Sequence, residues 1–504
     1  MPRFYLTAVA AAVMAATVNA AEFPAIPTDQ TDYNEIIYRD DANDPTSYEQ
    51  SSWNGIGLVA SGEPMSSGSK APAFLSTAKG DIVTNNGSIW VLADRIPDNK
   101  LGQYASGILA SGGKKGVNAE GAVIYVHSDN NGEETNYEAA KGMVADASTG
   151  DATTIINKGT IYVEGGTGML ATSNAKDRKS EITNEGTIHV INSGFGMSLG
   201  GNDASGVEMT NKGTIIASGK NAYGITASDA KDGTVTNEGT IIATDGAIAI
   251  SSGRWDKDVE FSLTLKGNSH VEGVIELGKA SHLIVQDLAR AETIVLSSGT
   301  SEKVNALDGA QCEGCNVGSV HVNNSNLTIR SSDESQTLKI GLIETVENGS
   351  MTFEFDSVGS KEKPLLDVDT GGQDDAVKFN YTGTVSDKLA SGSVKAEELF
   401  NGISLDNNAT PERITTSDGL WGGASVHEKK GNEITSTYSG PSSLITSTTD
   451  LALMNGLVWR SQLTNLSDRM GTLRTMRHAT TTVVLTAAAS NTTTVRSRWA
   501  LTLP

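Results

Sequence analysis

Few residues of this 504-residue chain stand in patterns that do covalent chemistry. Gly196-Met-Ser-Leu-Gly200 has the Gly-x-Ser-x-Gly spacing of a nucleophile elbow, where a sharp strand-to-helix turn exposes a serine. The same slot elsewhere holds Gly168-Met-Leu-Ala171 and Gly224-Ile-Thr-Ala227, so the phrase reads as one copy of a repeat. Cys312-Glu-Gly-Cys315 fits a redox pair, half a zinc site or a small disulfide loop. Zinc needs two further ligands and only His321 is close in sequence, while a redox motif wants a strand-to-helix setting that is absent. Asp367/Asp369 and Asp374/Asp375 have calcium-binding chemistry, but without the nine-residue Gly-Gly-x-Gly-x-Asp repeat they read as solvated turns. No phosphate loop and no His-Glu-x-x-His occurs in the sequence. The expectation is therefore a chain with no catalytic residue, no metal site and no cofactor, and not an enzyme.

Binding chemistry is better represented, and it sits inside a repeat. Ile155-Ile-Asn-Lys-Gly-Thr-Ile-Tyr-Val163 recurs as Ile182-Thr-Asn-Glu-Gly-Thr-Ile-His-Val190, Met209-Thr-Asn-Lys-Gly-Thr-Ile-Ile-Ala217 and Val235-Thr-Asn-Glu-Gly-Thr-Ile-Ile-Ala243. An earlier copy runs from Val83 to Val91, and Asn118 to Val126 is a degenerate one. Asn157, Asn184, Asn211 and Asn237 follow at spacings of 27, 27 and 26 residues, a period that means a solenoid. Asn-x-Gly predicts a turn, because Asn tolerates and Gly freely accepts left-handed backbone. Thr-Ile-x-Val then alternates as a strand, with Ile188 and Val190 on one face and His189 on the other. A second phrase, Gly-apolar-x-small, falls between copies, as at Gly107-Ile-Leu-Ala110 and Gly142-Met-Val-Ala145. Two strands and two turns per unit suit one coil of a right-handed parallel β-helix, an all-β solenoid. Stacking would align the Asn side chains into a hydrogen-bonded amide ladder. It would also align Trp90, Tyr125, Tyr162 and His189, then Ile216 and Ile242, as an outward stripe. The stripe is a possible binding strip, since flat rings stack on sugar faces; the plainer reading is that a neighbouring loop packs over it.

Composition agrees with an elongated architecture. Gly is 54 of 504, Pro only 11, aromatic residues 5% and apolar residues 38%, low for one compact core of this length. The net charge of −22 excludes nucleic acid as a partner recognised through a basic patch.

The ends of the sequence place the chain in a compartment. Residues 1–20 carry Arg3, an apolar run and Val18-Asn19-Ala20, the pattern of a secretory signal with cleavage between Ala20 and Ala21. Export through an oxidising compartment favours a disulfide between Cys312 and Cys315, with free thiols as the alternative. Residues 21–250 read as regular coils and 251–440 as less regular coils ending in a cap. Within 441–476, Leu451, Met454 and Val458, then Leu463, Leu466, Met470 and Leu473, form the stripe of a short amphipathic helix.

Signal, Asn-x-Gly-Thr-Ile repeats, Val458-Trp-Arg460 and Leu466-Ser-Asp-Arg-Met-Gly-Thr-Leu-Arg474, in that order, resemble an autotransporter of the type V secretion pathway. The resemblance covers the chain to about residue 476. It implies that the helix bearing Arg469, Gly471, Leu473 and Arg474 threads an outer-membrane β-barrel, and that the β-helical passenger is displayed outside. It also implies the outer-membrane insertion and secretion machinery as partner. Only 504 − 476 = 28 residues follow Met476, against roughly 80 for the smallest barrel. Residues 477–504, rich in Thr and Ala, read as a tail produced by a shifted reading frame between about Leu473 and Thr480. The expected function is an adhesin-like surface protein with an unknown glycan or protein ligand, at the cell surface if the barrel is restored and periplasmic as the chain stands. The alternatives are a polysaccharide-acting β-helix enzyme and a non-functional truncated product in the periplasm.

Overall fold

The computed structural model describes residues 35–438, except 40–51, 62–72, 78–80, 94–104, 129–139, 148–151, 174–178, 201–206, 228–232, 253–260, 279, 299–314, 347, 373–376 and 406–408. The signal segment, the amphipathic helix with Arg469, Gly471, Leu473 and Arg474, the tail, and Cys312 lie outside the described residues. The chain divides into two compact units, residues 1–380 with 397–412, and residues 381–396 with 413–504.

The first unit is a parallel β-helix. One coil shows how it is built: Thr153–Asn157, Thr160–Glu164 and Thr167–Thr172 are three short strands separated by tight corners. Each strand pairs in parallel with its counterpart in the next coil, so three ladders form. The first ladder runs from Ser52–Trp53 through Thr153–Asn157 to Ile403–Ser404. The second carries Ser88–Ala93, Val123–Ser128 and Thr160–Glu164, and the third Ala105–Ser111, Ala140–Asp146 and Thr167–Thr172. In two later coils one long strand, Thr187–Gly200 or Thr214–Thr226, serves both the second and third ladders.

Alternation drives the inside-outside sorting. Ile155, Ile161, Val163, Met169 and Ala171 of one coil all have no exposed surface. The same inward slot of the second ladder holds Ile89, Ile124, Ile161, Ile188, Ile215 and Ile241, each on the next in register. Each such isoleucine contributes about 1.5–3 kcal/mol by burial.

The corner glycines differ from expectation in their reason. Neither the repeat asparagines nor Gly159, Gly186, Gly213 and Gly239 have positive φ. A Cβ on Gly186 would land on the carbonyl oxygen of Gly159, one coil back, and a Cβ on Gly213 on that of Gly186. Close approach of successive backbones, and not left-handed conformation, is what demands glycine there.

The solenoid changes after the last Asn-x-Gly corner. His270–Glu272 and Val274–Glu276 continue the second and third ladders but are separated by Gly273 alone, at φ 115°. After Ser281–Leu288 of the first ladder, the strand Glu292–Leu296 pairs with Val274 and Ile275, and its Glu292 side chain reaches back to His270 and Val271. From there the described coils have two strands each, as in Val317–Asn323 followed by Asn326–Ser331.

In the second unit, Arg413–Thr416, Ser425–Lys430 and Glu433–Tyr438 form an antiparallel meander beside the helix Gly383–Ala390. Burial raises the Asp387 carboxyl's pKa, but the N–H groups of Gly422, Trp421 and Leu420, which donate to it at 2.7, 2.5 and 2.9 Å, outweigh that and hold it low. Among the described residues no helix is long and apolar enough to cross a membrane.

Candidate functional site

The outer side of the second ladder brings the sequence-derived stripe together. Trp90, Tyr125, Tyr162, His189, Ile216 and Ile242 stand in register on six successive strands. Ring centroids are 4.0 Å apart for Trp90–Tyr125, 5.4 Å for Tyr125–Tyr162 and 4.9 Å for Tyr162–His189, with interplanar angles of 17°, 10° and 10°. The strand-to-strand repeat of a sheet, about 4.8 Å, is close to a stacking distance, so rings in one column stack on each other.

That stacking changes what the stripe can bind. Trp90 packs at one end with Leu58, its register partner, and is buried. His189 is followed in register by Ile216 at the other end. The ring faces that would lie on a sugar are therefore taken by neighbouring rungs. What the row turns outward is its edges, with the phenol hydroxyls of Tyr125 and Tyr162 and the imidazole of His189. Burial raises the pKa of Tyr125, with Tyr162 adding to it, and burial lowers that of His189, so both shifts favour the uncharged form.

A column flanks the rings on each side. Ser88, Val123, Thr160 and Thr187 stand in register two residues before them, and the column continues through Thr214 and Thr240 beside Ile216 and Ile242. Leu92, His127 and Glu164 form the column two residues after. His127 Nδ1 lies 3.3 Å from Glu164 Oε2, and Asn192 Nδ2 donates to Glu164 Oε1 at 2.7 Å. His127 first, then Asn192, hold the Glu164 carboxyl below its usual range against the effect of burial.

The asparagines lie inside the solenoid. Asn85, Asn118, Asn157, Asn184, Asn211 and Asn237 are all fully buried. Each Nδ2 donates to the Oδ1 of the next at 2.8–2.9 Å, five bonds in a row. Asn157 and Asn237 also donate to the carbonyl two residues on, at 3.3 and 3.1 Å. The row ends on Ser269, whose Oγ accepts from Asn237 at 2.8 Å. It includes Asn85 and Asn118, which the strict period did not contain.

The remaining sequence candidates separate. Ser198 is buried in the strand Thr187–Gly200, without the strand-to-helix turn an elbow needs. Cys315 is buried and disulfide-bonded. Among the described residues no group of three or more His, Cys, Asp or Glu is placed to hold a metal ion. One constellation escaped sequence reasoning: His282, Ser319, His321 and Glu344 form a continuous row on the outside of the first ladder. Their separations of 37, 2 and 23 residues follow irregular coils, so no repeat announces them.

Comparison with known families and proteins bears on the coils that carry the rings and amides. No curated protein and no solved structure matches the chain. Residues 65–253, which contain both rows, match the family model described as the BigA fourth domain.

Proposed function

We propose that the chain is a surface-displayed, adhesin-like protein exported by the type V route, whose contact face is the outer side of the second ladder. The observation that carries this reading is the edge-on ring row from Trp90 to His189, flanked by Ser88, Thr160 and Thr187 on one side and the His127–Glu164 pair on the other. A rigid, straight array of hydroxyls and ring edges suits an extended polar ligand, a glycan or a protein segment lying along the coils. The match of residues 65–253 to the BigA fourth domain supports a surface protein.

Binding of the purified full chain to a glycan array and to host cells tests the face. Replacing both Tyr125 and Tyr162 by Phe keeps the stack and removes two hydroxyls. At about 0.5–1.5 kcal/mol per hydrogen bond, binding should weaken roughly 10-fold or more with the melting temperature unchanged. Equal binding by the double variant, or none by the wild type, sinks the assignment of this face. Surface proteolysis of intact cells tests the display.

A further inference from the structure

We propose that Ser319 is an activated nucleophile that accepts acyl groups from carboxylic esters, with His321 as its base, Glu344 orienting that base and His282 supplying the oxyanion donor. This goes beyond display and rests on a different face of the solenoid.

The four side chains come from three successive strands of the first ladder. Ser319 and His321 are two residues apart on Val317–Asn323 and so share its outer face. His282 is the register partner of Ser319 on one side, and Glu344 the register partner of His321 on the other. His321 Nδ1 lies 2.8 Å from Glu344 Oε2, and His321 Nε2 lies 3.0 Å from Ser319 Oγ. His282 Nδ1 lies 2.8 Å from the same Oγ. These are hydrogen-bond distances from nucleophile to base and from base to orienting acid.

The contacts define the working tautomer of the row. With Glu344 as acceptor, a neutral His321 carries its proton on Nδ1 and leaves Nε2 as an acceptor. Ser319 therefore donates to Nε2, and its Oγ lone pair accepts from Nδ1–H of His282. The hydroxyl is polarised toward a base held in the productive tautomer. His321 is held at both nitrogens and His282 by its bond to Oγ, so the His282 N–H that points at Oγ passes to the carbonyl oxygen as the ester binds beside Ser319, which is 4% exposed in the resting row. Backbone N–H groups of a parallel ladder are engaged with neighbouring strands, which leaves the oxyanion to a side-chain donor.

The chemistry balances with an ester and water. Ser319 Oγ bonds to the acyl carbon while its proton passes to His321 Nε2, and the carbonyl π electrons move to oxygen, where His282 N–H meets them. Collapse breaks the bond to the alcohol oxygen, which takes the proton from Nε2 and departs, leaving acyl-Ser319. Water then attacks the acyl carbon and gives its proton to Nε2. The acid leaves, and Oγ recovers the proton. Ser319 lies on the outer side of the ladder with 4% of its surface exposed, so the substrate class is a short acyl ester on a larger molecule.

A fluorophosphonate probe on the full-length chain, with the labelled residue mapped by mass spectrometry, tests the nucleophile. The expected result is labelling at Ser319 and a stoichiometric burst with p-nitrophenyl acetate, both absent in Ser319→Ala. Glu344→Gln should slow labelling by about 10²-fold or more and disturb the pH profile set by His321, which a merely structural carboxylate would not do. His282→Gln should slow acylation by about 10²–10³-fold. If Ser319→Ala fails to fold, probe mapping on the wild type decides alone. No label at Ser319 in the wild type, or undiminished labelling in Glu344→Gln, overturns the proposal.

Discussion

A single buried asparagine shows what holds one coil on the next. Asn184 accepts from Asn157 and donates to Asn211, with both neighbours as fully buried as itself. Alanine there removes both bonds of the amide row, and the longer ones from Asn184 Nδ2 to the carbonyls of Gly186 and Thr214, and leaves an Asn157 N–H and the Asn211 Oδ1 without their amide partner. At about 1–3 kcal/mol per buried unsatisfied group, Asn184→Ala should cost roughly 2–5 kcal/mol, measured by denaturant unfolding. A loss near zero would mean that water or a shifted neighbour takes its place. Gly186→Ala attacks the same corner sterically, through the Gly159 carbonyl. The amide row was legible in the sequence because Asn157, Asn184, Asn211 and Asn237 keep their period. The role of the corner glycine was not: a local turn motif suggests a backbone angle, while contact with another coil is a long-range fact.

At the scale of strands and ladders, the regular coils were readable and the later ones only as strands. Ile188 and Val190 inward and His189 outward follow from alternation alone. Ring stacking along the column follows from the repeat, but its consequence for binding needed the centroid distances, because stacked faces are no longer free. The change from three strands per coil to two has no sequence marker except the loss of Asn-x-Gly after Asn237. It is made at Gly273, where φ is 115° and an added Cβ would lie 2.7 Å from Ala243 Cβ. Gly273→Ala therefore combines backbone strain with overlap and should cost about 2 kcal/mol or more. Hydrogen exchange should locate the loss in 270–276 and the two adjoining coils. Uniform loss across the solenoid would show instead that the coils unfold as one block. The His282–Ser319–His321–Glu344 row lies in this irregular region, which is why spacing could not reveal it.

Across the whole molecule, histidine titration gives the first unit opposing contributions and the second unit a single one. In the first, burial depresses the pKa of His189, while a hydrogen bond to Glu292 raises that of His270. The stability tied to His189 is lost as pH falls below the unfolded value of about 6.5. That tied to His270 is present there and is lost as pH rises through its raised folded value, so the two oppose each other. In the second unit His427 stands alone in this respect among the described residues with a resolved histidine shift. It has no exposed surface, its Nδ1 is 2.8 Å from Ser436 Oγ, and its Nε2 is buried without a hydrogen-bond partner. Burial depresses its pKa, so the unfolded chain takes the proton more readily and stability falls as pH drops below about 6.5. Protonation would also add a buried N–H with no acceptor. Amide protection in 413–438 should therefore decline between about pH 7 and pH 5 more steeply than in the ladders at 153–244. His427→Gln should flatten that decline without altering the ladders. If the variant keeps the wild-type slope in 413–438, another group governs the acid response of this unit.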